Sequence, residues 1–92
     1  MANPKFRLEV SYSEKTGEPV AAYLRIREGK VVETKEVSAG VAFADYAADG
    51  VLLGVELLAP CQVEILDRLS EKEPESVQHF LRRGVRREMI YT

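Results

Sequence analysis

Between Phe6 and Tyr12 the chain alternates strictly: Phe6, Leu8, Val10 and Tyr12 are apolar, Arg7, Glu9 and Ser11 polar. A period of two lays the apolar set along one face of a β-strand. Residues 13–19 then gather loop formers around Gly17 and Pro19. The extended pattern resumes over residues 20–27, with Ala22, Leu24 and Ile26 on one face and Tyr23, Arg25 and Arg27 on the opposite, wetter one. Glu28 and Gly29 predict a two-residue turn, residues 31–37 a third strand, and residues 38–40 a turn into a fourth strand at 41–46.

The fifth strand, residues 51–58, has Val51, Leu53, Val55 and Leu57 on one face while Leu52 and Leu58 add apolar area to the other. A strand apolar on both sides needs cover on both sides, yet the last strand of a simple meander is an edge. The reading that reconciles the two is a curled sheet, helices on one face and a second copy of the chain. Gly54 within the strand marks a bend or a close approach.

After Ala59 the period changes. Pro60 suits the first position of a helix, and Cys61, Ile65 and Leu69, with Leu66 alongside, fall on one side at helical spacing, opposite Glu64, Asp67 and Arg68. Pro74 opens a second helix with a stripe of Val77, Phe80 and Leu81, ended by Gly84, its acidic start and basic end matched to the helix dipole. Residues 85–92 read equally as a frayed tail or a docked extension. The expected fold class is therefore α+β: one domain over 1–92, with a curved antiparallel five-stranded meander at 5–58, two short C-terminal helices at 60–84 and a tail at 85–92.

One stretch competes with this reading. From Asp45 to Glu56, twelve positions carry Asp first, Asp fifth, Gly sixth and Glu last, most of the layout of an EF-hand calcium loop. The third position, where a ligand oxygen is needed, is Ala47, and the flanks are strand-like rather than helical. Asp49 and Gly50 instead form a preferred pair for a type I′ hairpin.

The totals narrow the class. With 92 residues, 46% hydrophobic and 30% charged, the chain is an ordinary globular domain, and a net charge of −2 argues against a generally basic nucleic-acid binder. The single cysteine, Cys61, excludes an intrachain disulfide and fits a reducing cytoplasm. No signal-peptide run and no membrane span is legible, so a cytoplasmic protein is expected.

From Gly29 to Leu58 the run G-K-V-V-E-T-K-E-V-S-A-G-V-A-F-A-D-Y-A-A-D-G-V-L-L-G-V-E-L-L resembles the short prokaryotic proteins of domain-of-unknown-function family 2283, which carry a run like E-T-x-E-V-x-x-G-V-x-x-D-Y-D-x-D-G-x-L-V-G-I-E-I-L. Ala22 to Ile26 is similar to the family's L-Y-I-R-L strand. This chain has Val20 and Ala47 where the family usually has Asp. The resemblance implies a small β-rich fold from a bacterium or archaeon and brings no established activity; some relatives look like antitoxin-type partners of neighbouring toxin genes.

Candidate chemistry is sparse. Asp45, Asp49 and Glu56 would make a metal or acid-base cluster, but Asp49 belongs to the turn for backbone reasons. Cys61 near a helix start would make a nucleophile, but the only histidine, His79, lies on the polar side of the second helix, so burial is the plainer reading. Arg82, Arg83, Arg86 and Arg87 form one basic patch, read as a solvated helix end or a contact for an acidic protein before nucleic acid. The expected function is a non-enzymatic, homodimeric protein-interaction module, antitoxin-like, working through Tyr23, Arg25 and the four arginines, with no catalytic, metal or cofactor site. A small metal-dependent or thiol enzyme and a weak nucleic-acid binder are the alternatives.

Overall fold

A computed structural model describes residues 5–85 and 89–91. Its elements run β1 (Arg7–Tyr12), β2 (Pro19–Arg25), β3 (Glu33–Ser38), β4 (Ala42–Tyr46), β5 (Leu52–Leu57), β6 (Cys61–Gln62), α1 (Val63–Ser70), α2 (Glu75–Arg83) and β7 (Ile90–Tyr91). Five antiparallel strands followed by two helices are the α+β arrangement expected.

The strand order is not that of a meander. It runs β1-β2-β5-β4-β3, so β5 occupies the centre and β1 and β3 form the edges. Glu28 and Gly29 therefore do not close a hairpin; residues 26–32 carry the chain from β2 to the far edge. The central place gives β5 a partner along each edge but not cover on each face: Leu58, expected to need it, stays 46% exposed.

Within β5 the expected row of Val51, Leu53, Val55 and Leu57 is broken. Asp45 pairs with Gly54 and Tyr46 with Leu52, which leaves Leu53 as the extra residue of a β-bulge. Beyond the bulge the faces exchange: Leu52 joins Val55 and Leu57 in the core, while Leu53 is buried outside that cluster against Gly29, where an added Cβ would lie 3.0 Å from its Cδ2. The carbonyl of Leu53 accepts from the amides of both Ile26 and Arg27. That geometry carries Arg27 inward, against the expectation of a wet face: it is 3% exposed and bonded to the carbonyl of Leu52 and to Glu73.

The β4–β5 hairpin replaces the EF-hand alternative, because strands flank the turn. Its turn type differs from that expected. Gly50 alone in the turn has positive φ, +83°, its N–H donates to the carbonyl of Ala47, and Ala47 N–H donates to Val51. This is a three-residue loop whose last member is a left-handed glycine. A type I′ turn would need positive φ at Asp49 as well; Asp49 instead accepts from Val51 N–H.

The core lies between one sheet face and the helices: Ala22, Leu24, Ala42, Ala44, Val55 and Leu57 meet Leu66, Val77 and Leu81. Helix α1 begins at Val63 rather than at Pro60. Cys61 sits instead in β6, paired in parallel with Ile90 of β7, and is buried as expected. This pairing, with buried Val85 and Met89, shows the described part of the C-terminal segment to be docked. The apolar row continued by β1 lies on the helix side, where Phe6 stacks on Phe80 of α2 and Val10 packs against the core, while Phe6 and Leu8 remain 41% and 36% exposed.

Candidate functional site

Both helices pack on one face of the sheet and leave the other to solvent. The open face carries Tyr23 and Arg25 from β2, Gly54 and Glu56 from β5, Phe43 and Asp45 from β4 and Thr34 from β3, as the pairings Tyr23↔Glu56, Arg25↔Gly54, Asp45↔Gly54 and Thr34↔Asp45 require. Tyr23, Arg25, Thr34, Asp45, Gly54 and Glu56, six of the residues through which the chain resembles its family, thus meet on this surface.

Their geometry is fixed by hydrogen bonds. Tyr23 Oη donates to Asp45 Oδ2 at 2.9 Å, and Thr34 Oγ1 donates to Asp45 Oδ1 at 2.6 Å, so one carboxylate ties β2, β4 and β3 together. The phenol crosses β5 over Gly54, where an added Cβ would collide with the Tyr23 ring and hydroxyl. The guanidinium of Arg25 lies 5.5 Å from the Tyr23 ring centroid, within range of cation–π attraction. Burial, then the bond to Asp45, pushes the Tyr23 hydroxyl up to about 12, against a smaller lowering by Arg25. Tyr23 and Arg25 are therefore neighbours in space, and their partner Asp45 was singled out in the sequence for a different chemistry. Asp45 and Glu56 lie on one face, but Asp45 is occupied by two hydroxyl donors. Among the described residues, no group of three or more His, Cys, Asp or Glu side chains is placed to hold a metal.

Arg82 and Arg83 lie elsewhere, on the C-terminal end of α2. Arg82 is engaged by Asp67 of α1 at 3.1 Å, in a cleft also lined by Glu71, Glu75, His79 and Arg83. Carboxylates around the cleft offset its cations and weaken attraction for phosphate. Arg86 and Arg87 fall outside the described residues. Arg83, with Phe6, His79, Phe80 and Gly84, lines a second, more apolar groove in which Phe6 stacks on Phe80 at 4.5 Å.

Cys61 is buried, and burial pushes its thiol up, the opposite of what activates a nucleophile. His79 is exposed on α2. The residue that sequence reasoning missed is Arg27, whose Nη2 lies 2.7 Å from Glu73 Oε1. Alternation gave the wrong face for it because β2 ends at Arg25. Among the described residues no helix is long and apolar enough to cross a membrane.

The model of a family described as protein of unknown function (DUF2283) matches residues 21–59, from β2 to just past β5. The strands that build the open face are thus the matched segment, apart from edge strand β1. No curated protein and no solved structure gives a match to the chain.

Proposed function

We propose that this chain, whose sheet is largely a DUF2283 segment, is a non-enzymatic, cytoplasmic protein-interaction module that pairs with a second copy of itself and masks a protein partner in the manner of an antitoxin. The observation that carries the reading is the open sheet face, where Tyr23 is held over Gly54 by Asp45 and Arg25 is stacked beside it. A surface ordered in advance loses little side-chain freedom on docking, and tyrosine and arginine are the residue types that contribute most at such contacts. Arg82 and Arg83, on the helix side, would serve a separate contact with acidic groups.

Co-expression with the protein encoded beside it is the test, using the wild type, Arg25→Glu and Tyr23→Ala. The wild type is expected to co-purify with that protein as a stoichiometric complex and to suppress its activity, and both variants to lose it while remaining folded by circular dichroism. Retention of the complex by both variants would move the contact off this face; the absence of any complex with the wild type would remove the antitoxin-like reading.

A further inference from the structure

The sheet has two edges of different character. β3 exposes Glu33, Lys35 and Glu36 and is bulged before Ser38, features that discourage pairing with another strand. β1 is regular from Arg7 to Ser11, and its helix-side row contains the exposed Phe6 and Leu8. Among the described residues no strand pairs on its outer side. The direction of its backbone follows from its two ends: Lys5 N–H donates inward to Ile26 and Ser13 N–H to Glu18. Alternation then turns the N–H and C=O groups of Phe6, Leu8 and Val10 outward, toward the open edge.

We infer that β1 pairs antiparallel with β1 of a second copy, about a two-fold axis through Leu8, so that one sheet runs through both chains. This deepens the dimer of the proposed function and rests on it. The register follows from charge and face. An axis between two residues would set apolar side chains against charged ones. An axis through Arg7 or Glu9 would oppose like charges, Arg7 to Arg7 or Glu9 to Glu9. With the axis at Leu8, Arg7 faces Glu9 of the second copy twice over, Leu8 meets Leu8, and Phe6 meets Val10, joining the two exposed rows into one apolar strip on the helix side. The pair Arg7–Glu9, 3.5 Å apart within one chain, is exposed and free to exchange partners across the axis. Cross-strand pairs of opposite charge stabilise and like pairs destabilise.

Sedimentation or light scattering of the full chain is expected to show a dimer. Arg7→Glu and Glu9→Arg are each expected to raise the dimer dissociation constant about tenfold, and the double variant Arg7→Glu/Glu9→Arg to restore it. Leu8→Cys is expected to give a reducible covalent dimer under mild oxidation, and Ser11→Cys none, while buried Cys61 takes no part. A wild-type dimer indifferent to both charge reversals, with no Leu8→Cys cross-link, overturns the edge pairing and leaves the dimer standing on another surface. A wild type that is monomeric at all concentrations overturns both, whereas a stable pairing of β1 with a strand of a different protein in place of its own copy overturns the edge pairing alone.

Discussion

Tyr23 reaches Asp45 across an intervening strand, its hydroxyl 2.9 Å from the carboxylate, because that strand carries Gly54 beneath the ring. Glycine in a strand interior is ordinarily a weakness, with no side chain to pack and extra backbone freedom to lose. Here the aromatic ring supplies the missing cover, and the absent Cβ supplies the space.

Gly54→Ala should therefore destabilise the fold by about 1–3 kcal/mol, since the Tyr23 ring must move and its bond to Asp45 must lengthen or break. In a Tyr23→Ala background the same substitution should be neutral or stabilising, because the obstacle is gone and only the backbone entropy of glycine remains. Urea unfolding of the wild type, the two single variants and the double variant reads the coupling. Costs that simply add would show that ring and glycine act independently.

The same contact has an alkaline signature. Tyr23 ionises at about 12 in the fold, above the roughly 10 of a free tyrosine. A folded value above the unfolded one means that its contribution to stability is complete below about 10 and is lost as pH rises through about 12. Tyr46 is also displaced upward, by burial first and then by Glu33 and Glu73, so absorbance alone does not separate the two phenols. Asp45→Asn does: it should lower the last tyrosine transition part of the way, leaving the larger share due to burial. An unchanged transition would dissociate Tyr23 from Asp45.

What was legible in the sequence divides along physical lines. Strand β2, the β4–β5 hairpin and α2 follow from periodicity and from Gly50 and Pro74, all local signals. Strand order is not local. Nothing in residues 26–32 distinguishes a hairpin from a crossing to the far edge, and the two-sided apolar run of β5 reflects the bulge at Leu53 and an exposed Leu58 rather than strand order. Arg27 and Leu53 were misplaced for one shared reason, since the bulge that turns Leu53 away from the core also ends the alternation of β2. At the site, Tyr23, Arg25 and Asp45 were each visible as residues, and their convergence was not, because it depends on that same strand order. Gly54 was the readable hint.

Arg27 and Glu73 fasten the end of β2 to the segment before α2, with Arg27 also bonded to the carbonyl of Leu52 and its Nε without a partner among the described residues. The two ends differ in depth: Arg27 is buried and Glu73 is about one-fifth exposed. Glu73→Ala should thus cost about 3 kcal/mol, because it strands a buried guanidinium. Arg27→Met should cost less, as it keeps much of the apolar stem and leaves a carboxylate that water can reach. The double variant should be more stable than Glu73→Ala alone. Thermal or denaturant unfolding checks the order, and a larger loss for Arg27→Met than for Glu73→Ala would reverse the assignment of which charge is trapped.

Cys61 gives a direct probe of how the docked C-terminal strand opens. Its thiol is buried beneath the β6–β7 pairing and pushed up by that burial, so both access and thiolate fraction are low in the closed fold. Labelling by a thiol reagent should be slow, limited by an opening that separates Cys61 from Ile90. If that opening is local, Glu73→Ala should leave the rate almost unchanged although it destabilises the whole. If instead β7 leaves only when the fold melts, the rate should rise about tenfold for each ~1.4 kcal/mol lost. Met89 is buried in the common core with Leu66 and Leu81, which favours the second course. Labelling of the wild type as fast as that of a free thiol would show that the segment is not docked.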